Sequence, residues 1–364
     1  MKRRPDFLIF FATVTLLGFG IIMVFSASSV AATTEFGDSF HYLKKQAVAT
    51  VIGLVGMWLF MHIDYHRLKK WAPVALVTAV ALLGLVLVKN IGVEGGGATR
   101  WLELGPFNLQ PSEVAKVSIV LFLASILSGR QNKITDFWRG LFPLITILGA
   151  LFLLILRQPD LGTAMILTAT AAVMLYAAGA KTAHLVSLAI LVAPGLWWVI
   201  MREDYRRRRF LAFLNPEADP QDTGFHIIQS LYALGSGGLL GTGLGQSRQK
   251  FFWLPERHTD FIFAIIGEEL GLLGTLFVLA LFMLLAWRGC RAAMLAPDRF
   301  GTLLGIGIVA MVSIQALVNI GVVTGSLPIT GIPLPFISYG GSSLVFSLAA
   351  IGVLLNISRH GQRS

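Results

Sequence analysis

The residues of this chain most able to do chemistry are a few charged ones set beside long apolar runs. Asp260 closes the segment Pro255-Glu256-Arg257-His258-Thr259-Asp260, directly ahead of an apolar run that contains Glu268 and Glu269. A carboxylate at such a boundary is partly desolvated, which raises its pKa towards that of a general base. The plainer alternative is a helix N-cap, a role that does not exclude catalysis. His258 stands where it can share a proton with Asp260 or bind a metal, but one histidine beside one carboxylate is a weak metal signal, and no metal site is assigned. Glu113 and Lys116 lie three apart, on one helical face. They read either as the charged wall of a polar cavity or as an ion pair that makes membrane insertion tolerable. Gln158-Pro159-Asp160 interrupts two apolar runs, so Asp160 either caps the helix that follows or positions a ligand hydroxyl or a cation. Trp101 follows Arg100 in a loop opened by Gly95, Gly96 and Gly97, and either packs over a sugar or tethers that loop.

The elements that must position these residues are membrane helices. The 364 residues are 55% hydrophobic and 13% charged with a mean hydropathy of +0.74, whereas soluble domains carry about 25% charged residues. A water-soluble fold cannot hide that much apolar surface. Charge-poor runs recur at 7–32, 47–61, 71–88, 114–127, 140–156, 161–180, 182–201 and 261–287. The last stretch, 300–358, has no Asp, Glu, Lys or Arg and is divided by Pro328, Pro333 and Pro335. With about 20 residues per span, the sequence predicts an all-α polytopic membrane protein of about ten transmembrane helices. The first run is too long for a signal-peptide core and reads as a retained helix. The lone Cys290 offers neither an intrachain disulfide nor a thiolate metal site.

The net charge of +10 comes mostly from basic residues flanking the apolar runs, where they anchor headgroups and orient the chain, so no nucleic-acid partner is expected. A cytoplasmic N-terminus places Lys2, Arg3, Arg4, Arg67, Lys69, Lys70, Arg130, Lys133, Arg139, Lys181, Arg288, Arg291, Arg299, Arg359 and Arg363 inside. Only Lys44, Lys45, Lys89, Arg100 and Arg157 then fall in short external segments, and an even helix count returns the C-terminus to the cytoplasm. The exception is 202–257, a large external loop between the seventh and eighth helices, which carries Arg206, Arg207, Arg208 and Arg209. Positive charge retained there suits an anion. An acidic stretch with Glu217, Asp219 and Asp222 leads to 227–234, which reads as an amphipathic helix, and then to the glycines 235, 237, 238, 241, 243 and 245. Structureless loops of this length are uncommon, so short interfacial helices are expected. The glycine pattern lacks the preceding strand and spacing of a dinucleotide fingerprint.

The chain resembles the SEDS family (shape, elongation, division and sporulation) over essentially its whole length, 1–364, as a single membrane domain. The resemblance is carried by Arg100-Trp101, by Gln110-Pro111-Ser112-Glu113, by Gln158 to Thr163, by 241–250, by 254–271 and by Pro333 to Ser343, reading PLPFISYGGSS. Within the family, 319–325 is more similar to the division and sporulation branch, FtsW and SpoVE, than to the elongation branch, RodA. The resemblance implies that Asp260 is catalytic, that Glu113, Lys116 and Asp160 line a central cavity, and that Trp101 belongs to an external loop. It implies a peptidoglycan glycosyltransferase of the bacterial plasma membrane, at the division septum or in the forespore membrane. It also implies a partner, a class B penicillin-binding protein with transpeptidase activity, among other divisome or sporulation membrane proteins.

By the same resemblance the substrate is lipid II, polymerised by inverting transfer with release of undecaprenyl pyrophosphate. Such a reaction needs a base, for which Asp260 is the candidate, and positive charge at the departing pyrophosphate. Lys116, some of the arginines between 202 and 209, and Arg248 or Lys250 can supply it, with His258 alongside. No cofactor is required; a divalent cation, Mg or Mn, is an optional aid at the pyrophosphate. The rival readings are a lipid II flippase, which internal charges and broken apolar runs also suit, and a division scaffold.

Overall fold

The computed structural model describes residues 4–88, 91–95, 98–105, 107–129, 134–218, 220, 223–251 and 254–361. Lys2, Arg3, Lys89, Gly96, Gly97, Arg130, Lys133, Asp219, Asp222, Trp253 and Arg363 lie outside the described residues.

The apolar runs fold into helices α1 (Phe7–Phe36), α2 (His41–His62), α3 (Tyr65–Val86), α4 (Pro111–Gly129), α5 (Phe142–Leu156), α6 (Leu161–Ala177) and α7 (Thr182–Arg202). The segment after α7 holds two shorter helices, α8 (Asp204–Leu214) and α9 (Thr223–Ser236), and the chain ends in α10 (Ile262–Met294), α11 (Arg299–Val323) and α12 (Gly341–His360). Among the described residues nine helices are long and apolar enough to cross a membrane, and α6, with 17 residues, is a shorter apolar one. A span of about 17 residues is the lower bound for a bilayer, so the set agrees with a multi-pass membrane protein of about ten helices. Most helices overrun the apolar runs by several residues because their polar flanks continue the turn. Asp6, for example, accepts hydrogen bonds from Leu8 N at 3.0 Å and Ile9 N at 3.2 Å and caps the start of α1.

The all-α expectation missed one element. Strands β1 (Gly92–Gly95), β2 (Ala98–Leu104) and β3 (Phe107–Leu109) form an antiparallel sheet in the order β1-β2-β3, with Val93 opposite Trp101 and Leu102 opposite Leu109. Strands this short leave little alternation to read. The sheet is fastened to α12, whose Ser342 hydroxyl donates to the Asn108 carbonyl at 2.6 Å and accepts from Gln110 N at 3.2 Å.

Helices α4, α11 and α12 are the most buried spans, and α2 lies along α12. At one end of the bundle, Asp6 N donates to the Ser358 hydroxyl at 3.0 Å, Arg288 reaches the Asp6 carboxylate at 2.6 Å, and the Tyr65 hydroxyl donates to Asp298. The two ends of the described chain therefore meet. The opposite end gathers the sheet, α8, α9 and the irregular segment between α11 and α12 around Asp260. Helix α7 differs from all the others: none of its residues is buried.

Candidate active site

Asp260 sits in the turns that lead into α10. The N-cap of that helix is Phe261 and makes no side-chain cap, so capping does not occupy the Asp260 carboxylate. Its backbone carbonyl accepts from Asn319 Nδ2 of α11 at 2.7 Å, and the same amide nitrogen donates to the Ile332 carbonyl at 2.7 Å. One side chain thus fixes the Asp260 turn against the segment that joins α11 and α12. The charges acting on Asp260 come from Glu256, Arg209, Arg100 and Asp160. Burial pushes its carboxyl up to about 7, with Glu256 adding to the rise and Arg209 and Arg100 opposing it.

Arg209 of α8 was one of a run of arginines in the sequence, and the fold singles it out. Its Nη1 donates to the Ile329 carbonyl at 3.4 Å, and its guanidinium lies 4.2 Å from the Tyr205 ring centroid. Arg100, on β2, donates through Nε to the Gln158 carbonyl at 3.1 Å and through Nη2 to the Pro159 carbonyl. It therefore clamps the turn that presents Asp160. Asp160 caps α6 by accepting from Thr163 N at 3.0 Å, and its second oxygen faces Gln110 Nε2 at 3.5 Å. Trp101, its neighbour on β2, is half-buried.

The other predicted site residues are engaged elsewhere. Lys116 pairs with Glu113 at 2.9 Å and donates to Gln315 Oε1 at 2.6 Å, all three buried. Gln315 Nε2 in turn donates to the Pro333 carbonyl at 2.9 Å. The ion pair therefore braces α4 against α11 and the segment beside Asp260. Lys250, 3% exposed, is held by Glu269 at 3.2 Å and by the Gly245 carbonyl. Arg248 is exposed and gives its backbone N–H to Glu268 at 2.8 Å. Lys250 and the Arg248 backbone N–H join a separate cluster in which Glu269 also accepts from the Ser26 hydroxyl at 2.6 Å and Glu268 accepts from Ser247. His258 does not pair with Asp260. Its ring lies 4.4 Å from that of Tyr42, tilted by 45°, and burial lowers its pKa.

Sequence reasoning gave Asn319, Gln315 and the Glu268–Glu269 cluster no role of their own. Two adjacent glutamates in an otherwise uncharged run were the available signal. The cluster also explains the glycine-rich stretch: Gly241 and Gly243 lie against the backbone of Glu268 and Glu269, where Gly271, at φ +66°, breaks the helix.

Beside the site, a groove of about 870 Å³ opens between α5, α7 and α8. Leu153, Leu154 and Trp198 form an apolar wall, and Arg100, Arg157 and Arg206 a basic mouth. Tyr205, which lines the groove, carries Arg209 on its ring. An apolar wall beside a basic mouth suits an amphiphile with an anionic head.

The family model described as "Cell cycle protein", covering FtsW, RodA and SpoVE, matches residues 7–363. The chain belongs to the SEDS family of peptidoglycan glycosyltransferases. Among its relatives, this SEDS protein is 48% identical over 361 residues to stage V sporulation protein E of Bacillus subtilis (strain 168), covering 99% of each chain. It is 47% identical over 356 residues to the probable peptidoglycan glycosyltransferase FtsW of Geobacter metallireducens, covering 98% of this chain and 95% of the relative. Its fold matches a solved chain described under "Structural coordination of polymerization and crosslinking by a peptidoglycan synthase complex", with a TM-score of 0.80, 32% identity and 98% of each chain covered. The crystal structure of the rod shape determining protein RodA of Thermus thermophilus matches with a TM-score of 0.73 and 30% identity, over 99% of this chain and 98% of that one.

Proposed function

We propose that this SEDS protein polymerises lipid II into glycan strands by inverting β-1,4 glycosyl transfer on the outer side of the bacterial plasma membrane. The observation that carries the reading is Asp260 itself: a carboxylate not engaged in helix capping, with a pKa of about 7, under the charges of Arg209 and of Arg100, which also lines the groove. A base with a pKa of about 7 has both the ionised population and the proton affinity that general-base catalysis needs. The acceptor's GlcNAc 4-hydroxyl attacks C1 of the donor's MurNAc and loses its proton to Asp260. The bond from C1 to the pyrophosphate oxygen breaks, and undecaprenyl pyrophosphate leaves with the electron pair. Arg209 and Arg206 meet the charge that develops there, while the apolar wall of the groove holds the polyprenyl chain. The pyrophosphate needs no strong protonating acid, so the two-carboxylate arrangement of glycoside hydrolases is not required.

In this reading the Asp260 end of the bundle is external and the end where Asp6 meets Ser358 is cytoplasmic, in keeping with the distribution of basic residues. The segment 202–257 then covers the external site. A class B penicillin-binding protein would crosslink the product, in line with the polymerisation and crosslinking named for the matching complex. The similarity to SpoVE and FtsW favours work at the division septum or in the forespore membrane.

The test is labelled lipid II with the purified protein in detergent, where there are no two sides to transport between. Glycan strands are the expected product. No polymer, with labelled lipid II crossing the bilayer of reconstituted vesicles, would make the protein a flippase instead.

A further inference from the structure

Gly331 lies in the irregular segment between α11 and α12. Its φ of +74° places it in the left-handed region that favours glycine. A Cβ at this position would find two atoms within 4 Å, Asp260 Oδ2 at 3.5 Å and Arg209 Nη1 at 3.8 Å. The carboxylate and the guanidinium therefore face the same small open space, and the backbone beside it is held on both sides. Ile332 is tied through Asn319 to the Asp260 turn, each bond 2.7 Å long, and Ile329 accepts from Arg209 at 3.4 Å. The two charged groups and the glycine between them are thus tied to one another through hydrogen bonds of their own segments.

We propose that the space left by the missing Gly331 side chain is the seat of the attacking hydroxyl, which makes Gly331 a positioning residue for the transfer. This rests on the reading of Asp260 as the general base. An oxygen seated there has the proton acceptor on one side and a fixed cation on the other, the geometry a reacting atom requires. The hydroxyl oxygen gives its proton to Asp260 as it bonds to C1, and the leaving pyrophosphate takes the electron pair of the broken bond. A methyl group in the same place would hold the hydroxyl away from the carboxylate without touching the groove that binds the donor.

Gly325 provides a matched control. Its φ is +67°, so alanine there meets the same backbone strain, but its Cβ would lie 3.7 Å from the Ile227 and Leu231 side chains, an ordinary contact. Full-length Gly331→Ala, Gly325→Ala and Asp260→Asn should be purified beside the wild type, with lipid II polymerisation and thermal unfolding measured for each. The expected result is a fall in kcat of about 100-fold for Gly331→Ala, the scale of an ångström's misplacement. Its KM for lipid II should stay within about threefold, as for the loss of a transition-state interaction alone. Its unfolding temperature should match that of Gly325→Ala, which keeps its turnover. If Gly331→Ala does not fold, Gly331→Asn carries the same test, because asparagine tolerates this backbone. Turnover in the Gly331 variant equal to that of Gly325→Ala, or a rise in KM with kcat unchanged, would overturn the proposal. Polymerisation by Asp260→Asn would overturn the base assignment beneath it. An inactive Asp260→Asn with an active Gly331→Ala would remove only the inference about Gly331.

Discussion

Asp260 is partly buried among charges of both signs, and two consequences follow for pH. If it is the base, polymerisation should climb as Asp260 ionises, with its acid limb centred at about 7. A profile already flat from pH 5 to 8 would mean that another group takes the proton. Stability should run the opposite way. The carboxyl titrates near 3.8 when unfolded and about 7 when folded, so between these values the folded state holds the extra proton. Stability is therefore lost as pH rises through that window and levels off above it. Asp260→Asn, which cannot ionise, should unfold at a higher temperature than the wild type at pH 8 and at nearly the same temperature at pH 4. An equal gap at both would refute the burial argument. The sequence made Asp260 legible through its place at a membrane boundary, yet it left the N-cap reading open. It could not separate Arg209 from its three neighbouring arginines, because only the turn of α8 decides which one faces inward.

At the scale of elements, the ion pair of Glu113 and Lys116 shows how a charge can be structural and still serve the site. Both are buried on α4, and Lys116 reaches Gln315 of α11. Lys116→Met strands the Glu113 carboxylate and should destabilise the protein by roughly 3–5 kcal/mol. Adding Glu113→Gln should recover most of that loss, as read by unfolding in detergent; a single variant as stable as the wild type would dismiss the pair as a brace. The glycine-rich stretch makes a second, steric prediction. A Cβ on Gly237 would collide with the Gly267 carbonyl oxygen of α10, so Gly237→Ala should lose about 1–3 kcal/mol through forced backbone shifts. The helices were legible because a membrane demands long apolar runs, and α9 because its apolar residues repeat at helical spacing. The sheet was not, since strands of 3 to 7 residues carry too little pattern. The Glu268–Glu269 cluster also escaped notice, because its partners Ser26, Ser247 and Lys250 lie far apart in the chain.

For the whole molecule, the bundle has two ends of different character. One joins the two ends of the described chain through Asp6, Arg288 and Ser358, and the other brings the charges of Glu256, Arg209, Arg100 and Asp160 to bear on Asp260. In a Cys290→Ser background, a cysteine in place of Gln246 should react with a membrane-impermeant maleimide on intact cells. One in place of Lys181 should react only after permeabilisation; the reverse pattern would invert the proposed topology. Helix α7, with no buried residue, borders the groove. The central claim is that this bundle exists to bring a lipid-linked sugar to Asp260, and purified lipid II offered in detergent to wild type and to Asp260→Asn tests it most directly. Glycan strands are expected from the wild type and none from a variant that is equally folded. Glycan strands of similar yield from both would contradict that claim.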